Sequence, residues 1–200
     1  MPILESIAFD VSDFQLARKD IASQFWLTPA GDVVSVHFFN QPPDLPANAK
    51  TIQDLQSRYS AMLASSPAKL VQVALTNAAD CRAVCLIIKI PQQPSGLTYV
   101  GSITIPFIDY SYVLKVQCPE HGPTGLREAA LLDQALDQGT ATLDDSGRIT
   151  GTWNPDDEKH DHNFPDHPLS RARRVLNQIA NSCVMDAEAK NRDQFPLPRQ

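Results

Sequence analysis

The sequence predicts an α+β fold, an α/β/α sandwich in which an antiparallel sheet of about six strands has helices packed on it. Six β-favouring runs lie between residues 24 and 118. The connections within the last four are too short for parallel crossovers, which need a dozen residues or more. The amphipathic helical stripes flank the strands rather than alternate with them, so helices and sheet form separate layers.

The first two runs, QFWLT (24–28) and DVVSVHFF (32–39), are separated by Pro29, Ala30 and Gly31, a turn-forming spacing that predicts a hairpin. In the second run Val34, Val36 and Phe38 face one way, and Val33, Ser35, His37 and Phe39 the other. His37 therefore lies on a mixed face as a partly covered sheet residue. NQPPDLPANAK has three prolines in residues 40–50 and is a loop. Thr51 then caps a helix of about fourteen residues, with Asp54 at its third position. Ile52, Leu55, Tyr59, Met62 and Leu63 recur at three and four and form its core-facing stripe. SSP (65–67) ends it, because a residue before proline avoids the helical region.

LVQVALT (70–76), CRAVCLIIKI (81–90), LTYVGSITIPF (97–107) and YSYVLKVQC (110–118) follow as an antiparallel meander. In the last run Tyr110, Tyr112, Leu114, Val116 and Cys118 share an apolar face. Ser111, Val113, Lys115 and Gln117 share one that is half wet. Thr124 is the expected cap of the next helix, whose apolar flank is Leu126, Ala129, Leu132, Ala135 and Leu136, and Gly139 is its stop. A polar stretch (140–167) has one candidate strand, RITGTWN. Pro168 then opens a last helix with the stripe Leu169, Ala172, Leu176, Ile179 and Cys183. The expected organisation is a sandwich domain over 1–139, an acidic loop over 140–167, a helix over 168–185 packed on the domain, and a flexible tail over 186–200.

Hydrophobic residues make up 42% of the chain and charged ones 20%, which places it among globular proteins rather than disordered or fibrous ones. A single domain of 200 residues buries roughly 70% of the surface its unfolded chain exposes, enough for a real core. A formal charge of −6 argues against a nucleic-acid partner, since phosphate binding needs clustered Lys and Arg. The N-terminus has no basic start and no sustained apolar run, so no secretory signal is read there. The longest apolar run, VCLIIKI (84–90), is far short of the ~20 residues that span a bilayer. A cytoplasmic protein without membrane insertion is the expectation. Cys81, Cys85, Cys118 and Cys183 form no CxxC pair and are read as packed, reduced thiols.

This order of strand, strand, helix, four-strand meander and helix resembles the PsbP/Mog-like family of sandwiches. That family includes the photosystem lumen protein, the Ran-binding Mog proteins and bacterial DcrB-like chaperones. The resemblance covers residues 5–138 and is carried by the hairpin QFWLTPAGDVVSVHFF, the helix TIQDLQSRYSAMLASS and the strand and turn SYVLKVQCPEHGPTGLREA. It implies non-enzymatic binding of protein partners and brings no site residues with it, since a fold alone does not fix a function.

Three clusters are candidates for chemistry. DDEKHDHNFPDHPLSR (156–171) holds His160, His162 and His167 among five acidic residues. Its donor types suit zinc, with His160, His162 and Asp166 as the candidate ligands of a metal-dependent hydrolase. Against this, the motif lacks an HExxH or CxxC companion, and the segment has no apolar stripe to hold it rigid. The simpler reading is a solvated loop with Asp166 or His167 capping the last helix. In CPEHGPTGLREA, Cys118 and His121 could form a thiol and base pair, but Cys118 shares the inward face and reads as packed. Arg171, Arg173 and Arg174 read as a solvated helix face that partly neutralises the acidic loop. No GxSxG, phosphate-loop or dinucleotide motif is present. The expected function is that of a bacterial accessory or chaperone-like factor without catalytic residues or cofactor. It would bind a protein partner against an open sheet face through Trp26, Phe38, Tyr99, Tyr110 and Tyr112. A purely structural subunit, seen as a homo-oligomer, is the third reading.

Overall fold

The computed structural model describes residues 2–46 and 49–198. After a 3-10 turn at Leu4–Ser6, the elements are β1 (Ile7–Ala8), β2 (Gln15–Lys19), β3 (Ser23–Leu27), β4 (Val33–Phe39) and α1 (Ile52–Leu63). Then come β5 (Lys69–Ala78), β6 (Cys81–Pro91), β7 (Leu97–Pro106), β8 (Ser111–Pro119) and α2 (Leu126–Asp137). The chain ends with β9 (Ala141–Leu143), β10 (Ile149–Gly151), a 3-10 segment Glu158–Asn163, α3 (Pro168–Ser182), β11 (Val184–Met185) and α4 (Ala187–Lys190).

Seven strands form one antiparallel sheet in the order β2-β3-β4-β8-β7-β6-β5. The predicted hairpin is β3–β4 and the predicted meander is β5–β8. The link through α1 sends the chain to the far edge, and the meander returns so that β8 closes onto β4. The seventh strand, β2, is fully exposed along its length and has none of the apolar alternation that marks a strand in sequence.

The two faces are covered unequally. On one, Val34, Val36, Leu114, Val116, Tyr99, Ile103, Ile105 and Ile87 meet α3. The predicted α3 stripe is buried throughout, from Leu169 to Cys183. Gly101, at the centre of β7, lets the helix sit close, since a Cβ there would lie 2.6 Å from Leu176 Cδ1. On the other face α1 sets Leu55 and Tyr59 against Val84, with Leu70, Val73, Leu75 and Leu86 around them. Thr51 caps α1 as the sequence predicts, its Oγ1 accepting from the Asp54 N–H at 3.1 Å. Met62, read as part of the core stripe, is instead 55% exposed.

Two helix readings are corrected. α2 is capped by Gly125, at φ 74°, rather than by Thr124. It also buries Arg127, Leu131 and Ala135, while Leu126 and Ala129 stay exposed. The helix is rotated from its most apolar flank because Arg127, 1% exposed, is claimed by polar partners. Its guanidinium donates to the carbonyls of Pro155 and Asp157, to Asp161 Oδ1 at 2.9 Å and to Ser170 Oγ.

The same bonds organise the acidic stretch, which sequence alone reads as lacking a frame. Arg173 grips both oxygens of Asp161 and the carbonyl of Asp156, and Lys89 pairs with Asp156 at 2.5 Å. Arg171 makes a bidentate pair with the buried Asp32, two bonds of 2.9 Å. Arg171 and Arg173 are therefore structural pairs rather than a solvated face. The predicted RITGTWN strand forms as β10 and pairs with β9. The segment read as a flexible tail carries α4, a bridge between Gln194 and Phe107, and Leu197 packed near α1.

Candidate functional site

The five aromatics expected on an open binding face are core residues, which corrects that expectation. Trp26, Tyr99, Tyr110 and Tyr112 are buried, and Phe38 is half-buried against them. Their side chains fall on the face that α3 and the chain ends cover. Each tyrosine hydroxyl is committed: Tyr99 donates to Glu128 Oε1 at 3.3 Å, Tyr110 to the Ala189 carbonyl at 2.5 Å and Tyr112 to the Ile3 carbonyl at 2.8 Å. Buried aromatics with satisfied polar tips add to the core and offer no partner a surface.

The opposite face is the one left open. Two rows of paired residues run across it: Ser35, Lys115, Ser102 and Leu86, then His37, Val113, Thr104 and Val84. α1 covers only the β5–β6 end of these rows. Between α1 and the sheet lies a groove of about 420 Å³. Its apolar wall includes Phe39, Met62, Leu86, Ile88 and Val113, with Lys115 on the strand that forms its floor. Phe39 and Met62 are 42% and 55% exposed. This is the face that the alternation of YSYVLKVQC marks as half wet.

Polar groups in the groove are unequally satisfied. His37 Nε2 lies 3.0 Å from Ser35 Oγ, and its ring meets Phe25 edge to face and lies near-parallel to Phe39 at 6.0 Å. Burial, reinforced by the Lys115 charge, lowers the His37 pKa, so the ring is neutral at pH 7. Lys115 is half-buried and, among the described residues, its ammonium has neither ion pair nor hydrogen bond. It is the half-buried charge of the groove that lacks a partner, whereas Asp44, the carboxylate on the lining, is exposed to water.

A second polar cluster lies at the far end of the sheet. Among the described residues, Glu120, Glu128 and His167 are the one group of metal-type side chains whose donor atoms converge, all within 4.8 Å. His160, His162 and Asp166 do not come together: the first two sit on the 3-10 segment, and the Asp166 carbonyl accepts from Arg171. The zinc-type reading of that trio is corrected accordingly.

The converging group is built for architecture. Glu120 accepts from the Leu97 N–H at 2.8 Å and the Gly125 N–H at 3.1 Å, tying β7 to the start of α2. His167 caps α3, its Nδ1 accepting from the Leu169 N–H at 3.2 Å. Burial, then the charges of Arg127 and Arg171, push its pKa down to about 4. In the neutral ring that results, the proton sits on Nε2, which is buried, lies 4.0 Å from Glu128 Oε1 and makes no hydrogen bond. Metal ligation through Nε2 needs the other tautomer, with a proton on Nδ1, and the helix cap opposes it.

Thiol chemistry is disfavoured as well. Cys118 is fully buried and its thiol is pushed well up by burial, while burial holds Cys85 at about 11 and Cys183 at about 12. All four cysteines are unpaired, as the sequence suggests. A thiolate nucleophile needs the opposite shift.

No protein-family model matches the chain, and neither does any curated protein. Solved structures do. The chain is similar to the Ran-binding protein Mog1p of Saccharomyces cerevisiae, with a TM-score of 0.48 and 9% identity over 92% of each chain. It is similar to a Bacteroides thetaiotaomicron protein, with a TM-score of 0.40 and 10% identity over 61% of this chain and 41% of that one. A Pseudomonas aeruginosa protein of unknown function aligns with a TM-score of 0.37 and 13% identity, over 63% of this chain and 92% of that one.

Proposed function

We propose that this protein is a non-catalytic binding module that buries an apolar segment of a protein partner in the groove between α1 and the open sheet face. The observation that carries the reading is the unequal covering of the sheet. A single domain has the means to bury its apolar faces, yet Phe39 and Met62 stand exposed beside a cleft floored by strands. A contiguous apolar hollow with a polar rim is the form that a protein-binding site takes. The binding face moves from the buried aromatics to the side of the sheet that alternation marks as mixed. An accessory or chaperone-like role in a bacterial cytoplasm fits this use. No described helix is long and apolar enough to cross a membrane.

The test is site-specific photo-crosslinking in cells, with the crosslinker at Met62 and, as control, at the exposed Leu143 on the β9–β10 ribbon. A discrete protein adduct from position 62 and none from 143 is the expected result. Adducts of equal yield from both positions, or none from 62, would sink the proposal. An adduct between two copies of this chain would replace it with the homo-oligomer reading.

A further inference from the structure

From the placement of Lys115 we infer the chemistry of the partner: a short apolar segment bearing one isolated carboxylate, with that carboxylate closing onto the Lys115 ammonium. The inference rests on the groove being a protein-binding site and adds the charge that the segment must carry.

Lys115 belongs to β8, the middle strand of the seven, so its side chain rises from the centre of the open face and not from a rim. Its neighbours across the sheet are Ser35 and Ser102, and the next row holds His37, Val113 and Thr104. None of these is acidic. The one carboxylate lining the groove, Asp44, makes no ion pair with it. Every other half-buried or buried cation near the acidic stretch is matched: Arg127 and Arg173 to Asp161, Arg171 to Asp32 and Lys89 to Asp156. Arg82, also half-buried, has no carboxylate but donates to the carbonyls of Leu197 and Pro198, so among the described covered cations Lys115 stands out as the one whose charged end has neither kind of partner.

A partner that sealed the groove with apolar atoms alone would strip water from this ammonium without replacing its hydrogen bonds, which opposes binding. A carboxylate delivered with the segment converts the penalty into a charge-assisted bond in a partly desolvated setting. Ser102 and Thr104 line the groove with hydroxyls free to accept or donate beside it. The net charge of −6 sets a limit in the other direction, because a strongly acidic partner would be repelled by the surface as a whole. One carboxylate among apolar side chains meets both demands.

The experiment is a random-peptide display selection on the full chain, run in parallel on Lys115→Glu and Lys115→Met, with Met62→Glu used to identify groove binders. Circular dichroism and thermal melting establish that each variant is folded. Met keeps the aliphatic stem of Lys115 and so serves if Glu disturbs the strand. The expected result is that groove binders selected by the parent chain share one Asp or Glu between apolar residues. Lys115→Met should weaken those peptides about tenfold or more, and Lys115→Glu should select Lys or Arg at the same place. Groove binders that show no acidic preference, or that bind Lys115→Met equally well, overturn the inference and leave the binding site standing. Failure to obtain any peptide sensitive to Met62→Glu overturns both.

Discussion

At the scale of single residues, the chain spends its ionisable groups on holding itself together. His167 shows how. Its imidazole is neutral because it is buried beside arginines, and it caps α3 only while Nδ1 has a free lone pair. In the unfolded chain its pKa returns to about 6.5. The folded pKa is depressed to about 4, so the stability tied to this group is complete above pH 6.5. It is lost as the pH falls towards 4, because the unfolded state takes up the proton first. His167→Asn keeps a capping side chain and removes the titration. Urea unfolding at several pH values should show the parent losing on the order of 2 kcal/mol more than the variant between pH 7 and 4.5. Parallel curves for the two proteins would mean that the ring stays solvated.

At the scale of elements, α3 is the largest organiser, and its seat depends on the missing side chain at Gly101. Gly101→Ala should lower stability by about 1–3 kcal/mol through overpacking against Leu176. Leu176→Ala in the same chain should recover part of that loss, since one change makes the room that the other needs. A double-mutant cycle in denaturant measures the coupling, and strict additivity would place the helix farther from the sheet.

This helix is also the most legible element in the sequence, because its 3.6-residue stripe from Leu169 to Cys183 is apolar throughout, even though Ser170 and Arg171 are buried beside it. The β3–β4 hairpin, the meander and the cap at Thr51 were legible for similar local reasons. α2 buries a different face from the one its periodicity predicts, because periodicity favours leucines, whereas a buried arginine is placed by partners from elsewhere in the chain. The strand β2 is not legible in the sequence because an edge exposed along its length has no reason to alternate. The site was half legible. Alternation separates the face of Tyr110 and Tyr112 from that of Val113 and Lys115, but only tertiary packing decides which face a helix covers. The aromatics drew attention as a surface for the same reason that they form the core, their large apolar area.

At the scale of the whole molecule, the segment after β11 is a working part of the fold. Ala189 is buried, Tyr110 donates to its carbonyl, and the Phe195 N–H donates to the Pro106 carbonyl. Arg82 holds the carbonyls of Leu197 and Pro198. Truncation after Met185 should lower the denaturation midpoint and speed hydrogen exchange in β7 and at the start of β6, by about 2 kcal/mol or more for the apolar area uncovered. Unchanged exchange in those strands would show that the segment merely rests on the surface.

The seam between β4 and β8 carries a kinetic consequence. The hairpin and the meander each form from near neighbours, but the joint that makes them one sheet brings together segments separated by residues 40–110. Closing so long a loop is entropically slow, and such topologies fold late and gradually. Until it closes, β4 and β8 each present an unmatched backbone edge rich in valine and aromatic residues. Newly made chains are therefore most prone to clump during that interval, and refolding yield should fall steeply as the protein concentration rises.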